Sequence, residues 1–137
     1  MSATTIAVIK ARFEEAADTL RALRLGPRDK PSTRHTHWPD VVHQAILAYG
    51  WSAARVRLPA PSPEAIDRLD ETLAWLWPLA EDERRLVMGR AFRLPWGRLA
   101  GLEGRAARTL RYAHERILAG IAARVNAGGP TAPRRSE

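Results

Sequence analysis

Along most of this chain the apolar residues recur three and four apart, and that spacing most narrows what the chain can fold into. Ile6, Ile9, Phe13, Ala16, Ala17, Leu20 and Leu23 show it within residues 3–25, with Lys10, Arg12, Glu14, Glu15, Asp18 and Arg21 on the opposite side. At 3.6 residues per turn such residues share one face, so the segment reads as an amphipathic helix. No stretch alternates apolar and polar residues as a half-buried strand does. The expected class is all-α, with about six helices.

Glycine and proline divide the helices. Gly26-Pro27 ends the first, whose apolar face packs inward or against a second copy of the chain. Residues 26–37 read as a polar loop, basic through Arg28, Lys30 and Arg34. His35 and His37 lie in it without a cysteine or a paired acid in register, so no metal site is expected. A second helix is expected over 39–49, with Val42, Ala45, Ile46 and Tyr49 inward, and Leu58-Pro59-Ala60-Pro61 reads as a stiff connection. Ser62-Pro63-Glu64 is a helix start, a hydroxyl cap followed by proline and an acid. That third helix is expected to run to Trp77 with Ile66, Leu69, Leu73, Leu76 and Trp77 buried, while Asp67, Asp70 and Glu71 form a solvated face. A fourth is expected over 81–92, Leu86, Val87, Ala91 and Phe92 inward and Arg84, Arg85 and Arg90 outward. The chain thus divides into an N-terminal helical part, 1–78, a second part, 79–126, and a disordered tail, 127–137.

The second part holds the stretch with most bearing on function, Leu94 to Leu118. Pro95 suits a first helical position, Leu99 and Ala100 are the inward pair of a short helix, and Gly104 suits a sharp turn. A final helix from about Arg105 to Asn126 follows, with Leu110, Ala113, His114 and Ile117 on its inner face. This spacing is that of a helix-turn-helix, whose second helix lies in the DNA major groove. It also fits two consecutive helices of an ordinary bundle with Gly104 as a plain cap. Glu103 and Arg105 stand where apolar residues pack such a turn, which leaves Leu102 to do so.

On the reading helix, Arg108 and Arg111 are the candidates for base edges, since a planar guanidinium matches guanine in two places. Arg105, Thr109 and Tyr112 suit phosphates, and Arg98 on the preceding helix suits a backbone phosphate. Trp96 reads as a packed aromatic, and Arg116 and Arg124 lie too far along to reach the groove.

Charge supports a polyanionic partner. Residues 1–79 hold ten basic and nine acidic residues, whereas 80–126 hold ten basic and five acidic. Only Lys10 and Lys30 among the 22 basic residues are lysines, a bias that GC-rich coding also produces. With no cysteine, disulfides and thiolate-bound zinc are excluded. No apolar run of membrane-spanning length and no signal peptide is present, so a cytoplasmic, nucleoid-associated protein is expected. No nucleophile–base pair, phosphate loop or ligand set points to an enzyme or a cofactor.

LAEDERRLVMGRAFRLPWGRLA followed by GRAARTLRYAHERIL resembles region 4 of bacterial sigma factors, with Leu79, Glu83, Arg84, Leu99, Ala100, Gly104, Thr109 and Leu110 in register. The whole chain also resembles a family of short proteins of unknown function from phage, prophage and gene-transfer-agent regions. Its marks here are Phe13 to Leu20, Trp38 to Val42 with Ala48 to Gly50, Arg55 to Glu71, and the pair opening at Trp96. The resemblances imply a helix-turn-helix protein that binds double-stranded DNA and regulates transcription in a phage-like element. Two alternatives stay open: the small, DNA-recognition subunit of a packaging terminase, assembling through residues 3–25, and a helical module that binds RNA polymerase or another protein through Trp51 and Trp75–Trp77.

Overall fold

The computed structural model describes residues 3–23 and 60–128, and among these every regular element is an α-helix. The elements are α1 (Ile6–Ala22), α2 (Pro63–Ala74), α3 (Glu81–Ala91), α4 (Trp96–Glu103) and α5 (Ala107–Asn126). The helix expected over 39–49, the loop 26–37 with His35 and His37, Trp51 and the tail beyond Gly128 lie outside the described residues.

Local chemistry accounts for the starts. Thr5 caps α1, its hydroxyl accepting the Val8 N–H at 3.4 Å, and Ser62 caps α2 by accepting the Ala65 N–H at 3.2 Å. Glu83 accepts the Ala80 N–H at 2.9 Å ahead of α3, and three acids load that helix's first turn, where the backbone dipole favours them. Pro95, expected as a first helical residue, instead takes the cap position of α4, and Trp96 opens the helix.

The ends depart more from expectation. α2 stops at Ala74, not Trp77, because the chain tightens into three-residue turns: the Trp75, Leu76 and Trp77 amides donate to the Thr72, Leu73 and Ala74 carbonyls. The Leu76 and Trp77 carbonyls are taken by the Arg84 guanidinium, at 2.8 and 2.7 Å. Arg84, Arg85 and Arg90, expected on the solvent side, are half-buried, each held by its own partner: these carbonyls for Arg84, Glu103 for Arg85 and the Leu94 carbonyl for Arg90. α3 ends without a glycine: Arg93 takes a left-handed φ of 62°, and its guanidinium donates to both Asp18 carboxylate oxygens, at 3.1 and 3.4 Å.

α1, α3 and α5 touch one another; α2 lies against α1, and α4 against α3 and α5. One apolar cluster runs from Ile9 of α1 to Ala122 of α5 and takes in residues on both sides of position 78. α1 turns its apolar face into this core, burying Ile9, Phe13, Ala16, Ala17 and Leu20, while Ile6 and Val8 stay exposed. At the other end of α1, Asp18 bridges Arg21 and Arg93, and Arg21 also donates to the Phe92 carbonyl at 3.1 Å. α5 lies alongside, its last residue paired with Thr4: Asn126 Oδ1 accepts the Thr4 N–H at 2.7 Å and Asn126 Nδ2 donates to the Thr4 carbonyl at 2.9 Å.

The turn between α4 and α5 depends on Gly104, at φ 66°, whose N–H and that of Arg105 both return to the Ala100 carbonyl. A Cβ at Gly104 would meet nothing within 4 Å, so a substitution there strains only the backbone. Gly104→Ala is expected to destabilise by about 1 kcal/mol, the left-handed penalty of an L residue, seen as a lower urea midpoint with an unchanged slope.

Candidate nucleic-acid interface

α5 begins at Ala107, two residues later than expected, with Ala106 as its extended cap. Its inner face buries Leu110, Ala113, His114, Ile117, Leu118, Ile121 and Ala122. Helical spacing then places Arg108, Thr109, Arg111, Tyr112, Glu115 and Arg116 outside, and all six are exposed. Arg105 stands exposed in the turn and Arg98 exposed on α4. The six residues selected from sequence, Arg98, Arg105, Arg108, Thr109, Arg111 and Tyr112, are thus all exposed, at the turn or on the two helices it joins. Ala106 offers no side-chain cap, so no side chain covers the first-turn amides of α5.

The arginines sort into two groups. Those of α1, α2 and α3, with Arg93, are engaged. Arg12 lies over Trp75 at 5.1 Å, Arg21 over Phe92 at 5.0 Å and Arg84 over Trp77 at 5.6 Å. Arg68 pairs with Glu15 at 2.9 Å, which raises its pKa above the ordinary arginine value. Arg93 is raised in the same way by Asp18. From Trp96 onward the pattern reverses. Arg98, Arg105, Arg108, Arg116 and Arg124 have no hydrogen bond, ion pair or ring contact among the described residues, and Arg111 touches only the Trp96 ring, at 5.7 Å.

One carboxylate that might have neutralised the turn is diverted. Glu103, where the sequence departs from an apolar turn residue, is half-buried and accepts from Arg85 Nε at 3.2 Å and Nη2 at 3.3 Å. The pair holds the end of α4 to α3, with Arg85 raised in pKa first by that hydrogen bond. Leu102 does not pack the turn in its place: it is 59% exposed, because the Arg85–Glu103 pair already fastens this edge and Leu99 alone of α4 is buried. Tyr112 is 78% exposed.

Trp96 is packed, as expected. It is half-buried against the core, meets His114 edge-on at 5.5 Å, and lies under Arg90 at 4.4 Å. The Trp75–Trp77 surface, considered for a protein partner, is covered by Arg12 and Arg84, and both rings are half-buried. Sequence reading missed the Arg85–Glu103 tie and the role of Arg84; no local spacing signals either, since each depends on how the helices pack. Among the described residues no group of three or more acidic or histidine side chains could hold a metal, and no helix is long and apolar enough to cross a membrane.

Residues 24–121 match the model of a family described as a domain of unknown function, DUF6362, a span that includes α2, α3, α4 and most of α5. No curated protein and no solved structure matches the chain.

Proposed function

The chain belongs to the DUF6362 family, and we propose that it binds double-stranded DNA with α4, the Gly104 turn and the first half of α5. The observation that carries this is the sorting of the described arginines: partners inside the fold hold the seven described before Trp96, from Arg12 to Arg93, whereas those described after it, Arg111 apart, present charge with no partner among the described residues. Unpaired guanidinium groups on one exposed face are what a polyanion recognises. In this reading Arg108 and Arg111 reach base edges. Arg98, Arg105, Thr109 and Tyr112 hold phosphates, assisted by the uncapped amides at the start of α5. The likeness of residues 79–118 to sigma region 4, and of the chain to phage-region proteins, supports a role as a transcription regulator of a phage-like element, acting at the nucleoid.

The test is a duplex titration at two salt concentrations. Affinity should fall steeply with salt, with a log–log slope near −0.9 for each phosphate neutralised. Arg105→Ala/Arg108→Ala should weaken binding about 10- to 100-fold and reduce that slope by about two, with unfolding unchanged, because neither side chain has a partner in the fold. Arg111 is less suited to this test, since its removal also disturbs Trp96. A salt-independent affinity, or none at low salt, would refute the proposal.

A further inference from the structure

A second group of cations lies beside the α5 face, where α1, α3 and α5 meet. A small cleft, open to solvent, is walled there by Lys10, Phe13, Glu14, Arg90, His114 and Leu118. Arg90 of that wall and Arg111 of α5 share the Trp96 ring, with their Cζ atoms 4.4 and 5.7 Å from the ring centroid. Lys10 and Arg90 thus line the cleft, Arg111 is joined to it through the shared ring, and Glu14 is the carboxylate in its wall. Neither Glu14 nor Lys10 has an ion pair or hydrogen bond among the described residues. Arg90 donates to the Leu94 carbonyl at 2.7 Å through Nη1, yet its Nε is buried with no acceptor. Half-buried Arg85 is matched by the Glu103 carboxylate; here Lys10 and Arg90 lie together, with Glu14 in ion-pair contact with neither.

The surroundings register that excess. Burial lowers the Arg90 pKa from its ordinary value, Glu14 opposes the shift and Arg111 adds to it. His114 is lowered by burial first and then by Arg90 and Lys10. A net positive field that Glu14 offsets only in part, over a partly desolvated floor, favours an anion with several acceptor oxygens.

We propose that this cleft is a phosphate site, with Lys10 as its mobile point charge, Arg90 as its fixed donor and Arg111 as the lip it shares with the α5 face. As a contact for a DNA backbone phosphate it rests on the duplex reading above, and it extends that footprint onto α1. As a site for free phosphate it stands without that reading.

The experiment uses the full chain at pH 7 and follows the His114 ring and Trp96 indole resonances. The titrants are sodium phosphate, sodium chloride at matched ionic strength, and a short duplex. Phosphate, and not chloride, should move both signals. Lys10→Ala, at an exposed position without a partner, should weaken the response about tenfold, the effect of one hydrogen bond to a charged group. If the duplex moves the signals too, and Lys10→Ala lowers its salt slope by about one, the phosphate is that of the backbone. If phosphate moves them and the duplex does not, the site holds for a free anion and the shared footprint is refuted. If neither titrant moves them, or if Lys10→Ala changes nothing, the site is refuted even where the Arg105/Arg108 variant still loses duplex affinity.

Discussion

Leu99→Ala is expected to lower the free energy of unfolding by about 2–5 kcal/mol, the range for deleting a fully buried leucine. α4 has eight residues and buries one side chain, so its docking rests largely on that leucine, which is 1% exposed. Leu99 fits because Gly89 of α3 has no side chain: a Cβ there would stand 2.7 Å from Leu99 Cδ2. The other ties are weaker. Trp96 is only half-buried, and the Arg85–Glu103 pair, open to solvent on the arginine side, contributes about 1 kcal/mol or less. The shortened side chain leaves a void that the α3 backbone at Gly89 cannot fill. The variant should therefore show a lower urea midpoint and faster amide exchange throughout residues 96–103, with α1 and α3 better protected. It should also lose duplex affinity, since α4 sets the position of Arg98 and of the turn. A loss of stability under about 1 kcal/mol would mean that α4 is held by something other than Leu99.

What could be seen in advance and what could not divides along a physical line. Helical spacing is local, and it yielded the inner faces of α1 and α5 nearly residue for residue, including the burial of His114. Gly104 was legible because one residue type alone takes a left-handed turn without strain. The end of α3 was not, because Arg93 takes the same conformation with a side chain, assisted by Asp18 from 75 residues away. The end of α2 was misjudged for the same reason: Arg84 captures two carbonyls that a continuing helix would have used. Charge counting located the basic segment correctly but could not say which arginines are committed to the fold. Arg84, Arg85, Arg90 and Arg93 belong to that segment's excess, and each has a partner in the fold. The candidate face thus excludes those four and contains little carboxylate. Glu115 remains on it, and Glu103 is turned away.

Acid should destabilise the protein through His114. The imidazole is 7% exposed, and burial, then Arg90 and Lys10, push its pKa down to about 4 from an ordinary 6.5. Between those values the unfolded chain binds a proton that the folded chain refuses, so stability falls as pH falls through this window and is unaffected above it. The loss should reach about 2–3 kcal/mol by pH 4.5, from the displacement of the pKa at about 1.4 kcal/mol per unit. The variant comparison isolates the imidazole from every other acid-sensitive group of the fold. His114→Phe retains an aromatic ring against Trp96 and removes the proton site, while leaving every carboxylate in place. Unfolding free energies measured at pH 7.5 and 4.5 should then differ by about 2–3 kcal/mol less in His114→Phe than in the wild type. Equal losses in the two proteins would show that His114 accepts its proton without strain. A bound phosphate in the adjoining cleft would act in the opposite direction: its negative charge offsets Arg90 and Lys10 and raises the His114 pKa. The acid loss should therefore be smaller in phosphate than in chloride at equal ionic strength, in the wild type and not in His114→Phe.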